Sequence, residues 1–423
     1  MRQSDRYAPG DGLTIAATTT PPAPPAPEQR ILGTRGLIVF LALLSAFPPL
    51  STDLYLPSLP TMTVFFHVPE YLTNLTLILF FIFFAGAVLI WGPLSDKYGR
   101  RPVLLVGLSI YAVAGLLCAA SQDIYQLILF RILQAIGGGA ATAVGTAIVK
   151  DVYHGRRREV VLAVVQSLFV ISPAVAPAVG AVLLTFTSWR GVFVAQGIVG
   201  LGVLAGAVVF VETIDSRSGV GVVRTMGRLG VVIRNRAFAT LLVIFSLTSI
   251  AMMSFIASSS YIYQDVFGLS SGTFSLFFAF NAGGMLIGPL LYVWLGGRFR
   301  RFTIITACFA VMCLSGLLVF TFGPLAPLVF APLLLPATIA TSCLRPPSVF
   351  LMLEQQQTDA GAASALMGSL GMVMGSVGMV IVSVLPGSLI QAVGGLNVTI
   401  GAVCGGAWLL ATRTPLLRPI RRD

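Results

Sequence analysis

Residues 92–102 read GPLSDKYGRRP and join two long apolar stretches, residues 71–93 and 102–120. A run of about 20 apolar residues is the length that an α-helix needs to cross the hydrocarbon core of a bilayer. The short polar segment is therefore expected to connect two transmembrane helices. Within it, Gly99 can adopt a backbone conformation closed to other residues, and Gly92 has no side chain to keep a neighbouring helix away.

Similar apolar stretches recur along the whole chain of 423 residues. The composition is 56% hydrophobic and only 10% charged, whereas soluble domains carry about 25% charged residues. A water-soluble or disordered protein is therefore excluded, and continuous runs of this length must be helices. Twelve transmembrane helices are predicted, at residues 36–58, 71–93, 102–120, 125–148, 159–185, 190–211, 238–262, 270–295, 302–322, 325–350, 362–385 and 395–412.

The basic residues predict how these helices are oriented. With the N-terminus in the cytoplasm, all but three of the 26 Lys and Arg residues fall on the cytoplasmic side, where the positive-inside rule expects them. The net charge of +11 therefore records topology, and it does not indicate a nucleic-acid partner. We expect a monomeric multi-pass protein of the bacterial inner membrane with both termini in the cytoplasm.

The chain also divides into two related halves. Gly92-Pro93 and Gly288-Pro289 are 196 positions apart, and an arginine pair follows each of them. The fold class predicted is an all-α integral membrane protein with two pseudo-symmetric six-helix bundles, an organisation found in many secondary transporters. The predicted parts are a disordered tail (1–34), a first bundle (35–211), a central cytoplasmic loop (212–237), a second bundle (238–412) and a short tail (413–423).

Residues 92–102 resemble the signature loop of the major facilitator superfamily, glycine–x–leucine–x–aspartate–basic–x–glycine–arginine–arginine. The resemblance implies that Asp96 lies against the positive end of the eleventh helix, near Gly361, in one of two alternating states. It also suggests that Arg100 or Arg101 pairs with Asp151 at the inner end of the fourth helix. Ordinary positive charge in a cytoplasmic loop would explain the arginines, although not the aspartate between two glycines.

The fourth predicted helix carries an arginine inside the membrane. Arg131, Gln134 and Gly138 share one helical face and are similar to a second motif of the superfamily, arginine–x–x–glutamine–glycine–x–glycine, with Ala135 in place of the first glycine. An intramembrane arginine is costly unless it faces a cavity or a partner. The alternative is a side chain that reaches outward to the interface, about 9 Å away along the helix.

The first predicted helix contains the one carboxylate that lies clearly inside a span, Asp53 in the stretch STDLYLP (51–57). Burial disfavours the charged form of a carboxylate, so that such a group can exchange a proton, and a nearby cation such as Arg131 would modulate this exchange. The stretch resembles that of the 12-helix drug:proton antiporters, in the branch that exports bicyclomycin and chloramphenicol. If the helix ends near Thr52, the alternative is an exposed aspartate at its outer end.

The fifth helix resembles an antiporter motif in weakened form, since residues 172–181 read SPAVAPAVGA and small residues replace three glycines. Pro177 can kink this helix, and Gly180 lies on a face that allows close packing. The resemblance implies a leak-proof contact between the halves. Three further polar residues within spans, Tyr55, Gln166 and Asn281, line a pocket or form interhelical hydrogen bonds.

Arg345 precedes two prolines in the tenth predicted helix, and it lies either in the cavity or near the inner face. The five cysteines and two histidines show no metal-site spacing, and no metal or cofactor is expected.

These features predict a secondary transporter that exports small lipophilic compounds in exchange for protons by alternating access, with Asp53 as the proton carrier. The proton gradient would drive transport, and the partners would be a small-molecule substrate, protons and the lipid bilayer. The alternatives are an exporter or importer of a native metabolite and a transport-inactive receptor or scaffold. An enzyme is not expected, because no nucleophile–base pair or metal cluster is apparent.

Overall fold

The computed structural model describes residue 29 and residues 31–214, 222–356 and 359–414. In these residues the regular structure is entirely helical. The α-helices are α1 (Gly33–Thr52), α2 (Leu59–Phe66), α3 (Glu70–Tyr98), α4 (Arg100–Ala120), α5 (Ile124–Val152), α6 (Gly155–Phe186), α7 (Trp189–Val209), α8 (Val222–Arg234), α9 (Arg236–Tyr261), α10 (Ser271–Gly296), α11 (Arg301–Phe322), α12 (Pro327–Cys343), α13 (Arg345–Glu354), α14 (Ala360–Val384) and α15 (Leu389–Ala411).

These helices form the predicted multi-pass membrane protein. Eleven segments of the described chain are long and apolar enough to cross a bilayer. The fifth predicted span corresponds to α6, a helix of 32 residues whose later part, Ile171–Phe186, is a further apolar segment. The first span combines α1 and α2, the tenth combines α12 and α13, and the predicted all-helical fold is confirmed.

The positions of four spans differ from those predicted. The first helix ends at Thr52 and not at residue 58; Pro57 lacks the N–H group that would donate to the carbonyl of Asp53 in a continued α-helix. The second continues to Tyr98, five residues beyond its predicted end, so that Gly99 alone separates α3 from α4. The tenth is interrupted at Leu344, next to another proline pair. The twelfth begins at Leu389, six residues before its predicted start.

The central segment contains a helix where only a loop is expected. Helix α8 packs against α3, α9 and α14. Val232 is fully buried on one side of it, whereas Arg228 and Arg234 are exposed. The expectations for residues 1–28 and 415–423 lie outside the described part of the chain.

A pair of equivalent glycine contacts shows that the two halves repeat. In the first half, a Cβ atom on Gly180 of α6 would collide with the carbonyl oxygen of Leu54. In the second half, a Cβ atom on Gly378 of α14 would collide with the carbonyl oxygen of Ile250 in α9. Leu54 and Ile250 are 196 positions apart, the same spacing as in the two Gly-Pro pairs. The fifth and eleventh spans therefore pack on the first and seventh in the same way.

The two bundles meet where α3 packs on α14, α6 on α10, and α2 on α9. Among the described residues, the hydrogen bonds between bundles lie near mid-span or toward the end remote from residues 92–102. They are Asn74 Nδ2 to Ser383 Oγ (2.8 Å), Gln264 Nε2 to Pro57 O (3.0 Å), Ser275 Oγ to Pro177 O (2.9 Å), Ser369 Oγ to Ala85 O (3.1 Å), Ser376 Oγ to Ile78 O (3.4 Å) and a bond of 3.3 Å between the hydroxyls of Thr63 and Tyr261. The hydrogen bonds between the halves thus lie away from the end that carries residues 92–102.

Candidate functional site

Asp53 lies at the break in the first span. Its backbone N–H donates to Pro49 O (2.7 Å), which closes the last turn of α1. The chain then continues through a 3₁₀ turn, Leu56–Ser58, into α2. The helix ends at Thr52, the case for which an exposed aspartate was the alternative. That alternative is wrong, because only 5% of the surface of Asp53 is exposed.

Helix α6 covers this break in the first span. Gly180 contacts the carbonyl oxygen of Leu54 so closely that no side chain could be placed there. One turn earlier on the same helix, Pro177 O accepts the hydrogen bond from Ser275 of the second bundle (2.9 Å). The two motif residues of the fifth span therefore connect the Asp53 region to the interface between the halves.

The Thr52 hydroxyl is the hydrogen-bond partner of the Asp53 side chain. Thr52 Oγ1 lies 3.1 Å from Asp53 Oδ1 and 3.0 Å from Pro48 O. A hydroxyl has a single hydrogen to donate but two lone pairs to accept. The Thr52 hydroxyl is therefore shared between two acceptors, Asp53 Oδ1 and Pro48 O. No basic group within the described chain forms an ion pair with Asp53.

Arg131 is fully buried, and aromatic rings surround its guanidinium group. The group lies 4.6 Å from the ring centre of Tyr55, 4.3 Å from that of Phe80 and 5.7 Å from that of Phe193. Its Nη1 donates to Gln134 Oε1 (2.7 Å), but Nε and Nη2 have no partner. Cation–π attraction stabilises such a group, and no carboxylate of the described residues pairs with it.

A chain of hydrogen bonds links Arg131 to the end of α1. Gln134 Nε2 donates to Gln196 Oε1 (3.1 Å), and Gln196 Nε2 donates to the carbonyl oxygen of Leu50 (3.2 Å). Ser51 is hydrogen-bonded to Tyr111 OH (2.7 Å). The hydrogen bonds from Arg131 therefore reach the last turn of α1, three residues before Asp53, although the two side chains form no ion pair.

Arg100 organises the signature loop, residues 92–102. Its Nη1 donates to Asp96 Oδ1 (2.5 Å) and to Ser95 Oγ (2.6 Å), and its Nε donates to Asp151 Oδ2 (2.8 Å). The pairing suggested between the loop and the fourth span is thus present, and Arg100 provides it. Arg101 instead donates from Nη2 to Val208 O (2.6 Å).

Glu212, which the sequence analysis missed, caps the helix that follows the loop. Its carboxylate accepts from the backbone N–H groups of Arg100 and Arg101, both at 3.0 Å. Negative charge at the first turn of a helix is favourable. Gly99 has a φ of 105°, and Glu212 Oε2 lies only 2.6 Å from where a Cβ atom would be. Glu212 is 112 positions after Arg100, so no local pattern could indicate it.

Two expectations for the loop need qualification. The close helix contact predicted at Gly92 is wrong, since a Cβ atom there would meet nothing within 4 Å. The side chain of Asp96 is 47% exposed and is paired with Arg100. At the start of α14 it is Asp359 that forms an ion pair, at 3.9 Å, with Arg228.

The remaining predicted residues lie in different environments. A Cβ atom on Gly138 would lie 3.4 Å from the ring of Tyr111, in ordinary van der Waals contact. Tyr55 is fully buried and shares a hydrogen bond of 3.0 Å with Thr76 Oγ1, so it joins helices in this structure. Asn281 is 1% exposed, and its Oδ1 has no partner. Arg345 is exposed at the start of α13, and the side chain of Gln166 lies outside the described residues.

Two repeated six-helix bundles that meet around buried charged residues define a membrane transporter. Residues 39–382 match the sequence profile of the Major Facilitator Superfamily. This chain therefore belongs to the Major Facilitator Superfamily.

Several bacterial proteins resemble this chain in sequence. The uncharacterized MFS-type transporter YdgK of Bacillus subtilis (strain 168) is 31% identical over 390 residues, which cover 89% of this chain and 92% of that protein. A bicyclomycin resistance protein homolog of Haemophilus influenzae is 25% identical over 66% of this chain and 71% of its own length. The multidrug resistance protein MdtL of Salmonella heidelberg (strain SL476) is 25% identical over 67% of this chain and 72% of its own length.

Solved structures resemble it in fold alone. The peptide transporter POT in complex with sulfate has a TM-score of 0.73 against this chain and 14% sequence identity. The alignment covers 93% of this chain and 97% of that one. A bacterial homolog to the human lysosomal transporter Spinster, in its inward-facing and unoccupied conformation, has a TM-score of 0.71 and 14% identity, covering 91% and 97%.

Proposed function

We propose that this protein exports small lipophilic compounds in exchange for protons, by alternating access across the bacterial inner membrane. The observation that carries the proposal is Asp53, a buried carboxylate at a helix break with a hydroxyl as its partner and no ion pair to a basic residue of the described chain. Inside a membrane such a group favours the protonated form, and it releases its proton when water or a cation reaches it.

Arg131 supports the same mechanism. Its two unpartnered nitrogens are available to an acceptor that enters the first bundle, such as the ionised Asp53 or a group of the substrate. The hydrogen-bonded chain through Gln134 and Gln196 ends at Leu50, next to the break. A shift of the arginine would therefore reach the environment of the aspartate, which is how binding of substrate and release of the proton can be coupled.

Alternating access is supported by where the bundles meet. With the basic loops in the cytoplasm, both termini are cytoplasmic and the hydrogen-bonded end of the interface is the outer one. The structure then corresponds to an inward-facing state. In the outward-facing state, Asp96 would leave its exposed position and approach the positive end of α14, as the signature loop implies.

Drugs are favoured as cargo because two of the relatives are named for bicyclomycin resistance and multidrug resistance. An inward proton supplies about 2.3 kcal/mol for each 100 mV of membrane potential, in addition to the pH gradient. This is enough to concentrate a neutral compound against a gradient of more than tenfold.

The test is Asp53→Asn in proteoliposomes that contain a pH-sensitive dye. Addition of chloramphenicol or bicyclomycin to the wild type is expected to cause substrate-dependent proton movement. Asp53→Asn removes the exchangeable proton, so that proton movement is abolished while the protein remains monodisperse. Asp123→Asn is the matched control, since Asp123 accepts two backbone hydrogen bonds at an exposed helix start and asparagine also caps helices well. Proton movement that survives in Asp53→Asn would contradict the proposal.

A further inference from the structure

Arg345 lies inside the membrane at the break of the tenth span. It is the first residue of α13, nine residues before the end of that helix at Glu354. Nine residues correspond to about 14 Å along an α-helix. The guanidinium group is therefore well inside the span, on the side of the signature loop.

Arg345 lies at the edge of the buried side of α13. Residues three, four and seven positions apart share a helical face, and of those beside Arg345, Ser348 and Met352 are buried (7% and 4%) whereas Val349 is 43% exposed. Helix α13 packs against α9, α14 and α10. Because an unpaired guanidinium group turned toward lipid is costly, we infer that Arg345 faces an opening beside these helices.

No group of the described chain neutralises this arginine. No carboxylate oxygen of the described residues lies within 4.0 Å of it. Glu354 is nine residues further along, half a turn around the helix. An intramembrane cation is normally paired or faces a water-filled cavity that serves a ligand.

The balance of charge within the spans points the same way. Arg131 likewise forms no ion pair within the described chain, and Asp53 is neutral whenever it carries the proton that the proposed function assigns to it. In that state the two arginines give the interior a positive charge. A positive site in a medium of low dielectric constant attracts anions and repels cations.

We propose that Arg345 binds the negatively charged group of anionic cargo, and that among lipophilic compounds the protein prefers small amphiphilic organic anions, such as a carboxylate on an apolar ring. A guanidinium group can form two parallel hydrogen bonds to a carboxylate, which lysine cannot do. The inference rests on the proposed function for the direction of transport, but the binding it describes requires no proton gradient.

The experiment measures equilibrium binding of three probes to the full-length protein in lipid nanodiscs: tritiated 2-naphthoate, its neutral methyl ester and the cationic 2-naphthylmethylamine. The wild type is expected to bind naphthoate at least tenfold more tightly than the ester, and the amine least. Arg345→Gln should lower naphthoate affinity at least tenfold and leave ester affinity within twofold. Arg345→Lys keeps the positive charge but cannot form two parallel hydrogen bonds to a carboxylate, so its affinity for naphthoate should be intermediate.

The matched control is Arg298→Gln, which removes an exposed arginine that stacks on Trp294 at 4.2 Å. Its naphthoate affinity should equal that of the wild type, and ester binding reports the folded state of each variant. Equal binding of naphthoate and ester by the wild type, or a preference retained in Arg345→Gln, overturns the inference. Neither result affects the proton test on Asp53, and loss of the anion preference in Arg345→Gln stands even if Asp53→Asn transports normally.

Discussion

Replacing Arg100 by lysine tests whether the signature loop depends on a guanidinium group or only on positive charge. Arg100 contacts three partners in different directions, namely Ser95, Asp96 and Asp151. A lysine ammonium is a single point donor on a flexible chain. It can reach one of the two carboxylates but cannot bridge them.

The size of the effect follows from the exposure of the partners. The contact with Asp96 is worth less than about 1 kcal/mol, because that side chain is 47% exposed and solvent screens the pair. The contact with Asp151, at 21% exposure, is a charge-assisted hydrogen bond, worth about 1.5–3 kcal/mol. A lysine that keeps Asp96 loses the bond to Asp151, and one that keeps Asp151 loses the contact with Asp96 together with the charge-assisted bond to Ser95. In either case Arg100→Lys should destabilise the first bundle by about 1.5–3 kcal/mol, which corresponds to a fall in Tm of about 3–10 °C.

The assay is thermal unfolding in detergent, followed by intrinsic tryptophan fluorescence. The adjacent Arg101→Lys is the matched control, since Arg101 is exposed and makes one bond, to a carbonyl oxygen that lysine can also reach. Its Tm should fall by no more than about 2 °C. If Tm falls no further for Arg100→Lys than for Arg101→Lys, the claim that the guanidinium group of Arg100 joins the third span to the fourth is refuted.

Two further substitutions test the site around Asp53. Gly180→Ala places a methyl group against the Leu54 carbonyl oxygen, so that α6 must move and the free energy of unfolding should fall by about 1–3 kcal/mol. Gly86→Ala, where the space is open, is the control and should not destabilise the protein. Equal Tm values for the two variants would contradict the close packing of Gly180 on Leu54. Arg131→Met removes two buried donors without acceptors, each costing about 1–3 kcal/mol, and leaves a side chain that packs well against aromatic rings. Its Tm should therefore be unchanged or higher while transport is lost, and a fall of more than about 5 °C with transport retained would show that the arginine is structural.

The helical architecture could be predicted because hydropathy depends on composition over about 20 residues, which the chain displays directly. The signature loop likewise indicated the contact between Arg100 and Asp151, which lies across one helix–helix junction. Asp53 was found for the same reason: it is an acid within an apolar run. Its surroundings were not predictable, because they depend on how α6 covers the end of α1.

Other features depend on contacts between distant parts of the chain. Glu212 acts on a helix that begins 112 positions earlier, and the rings around Arg131 come from the first, second and sixth spans. The error at Gly92 is of the same kind, since the absence of a side chain permits close packing but does not cause it. For Arg345, the sequence left open whether the prolines end the helix, and the helix in fact restarts at that residue.

The position of Glu212 has a consequence for dividing the protein. This residue belongs to the first few that follow the sixth span, yet it caps the start of α4, the helix of the third span. A first half produced as a separate polypeptide would need to extend beyond Glu212 to retain its own helix cap. The boundary of the first half therefore lies a few residues beyond the end of the sixth span, and not at the last apolar residue of that span.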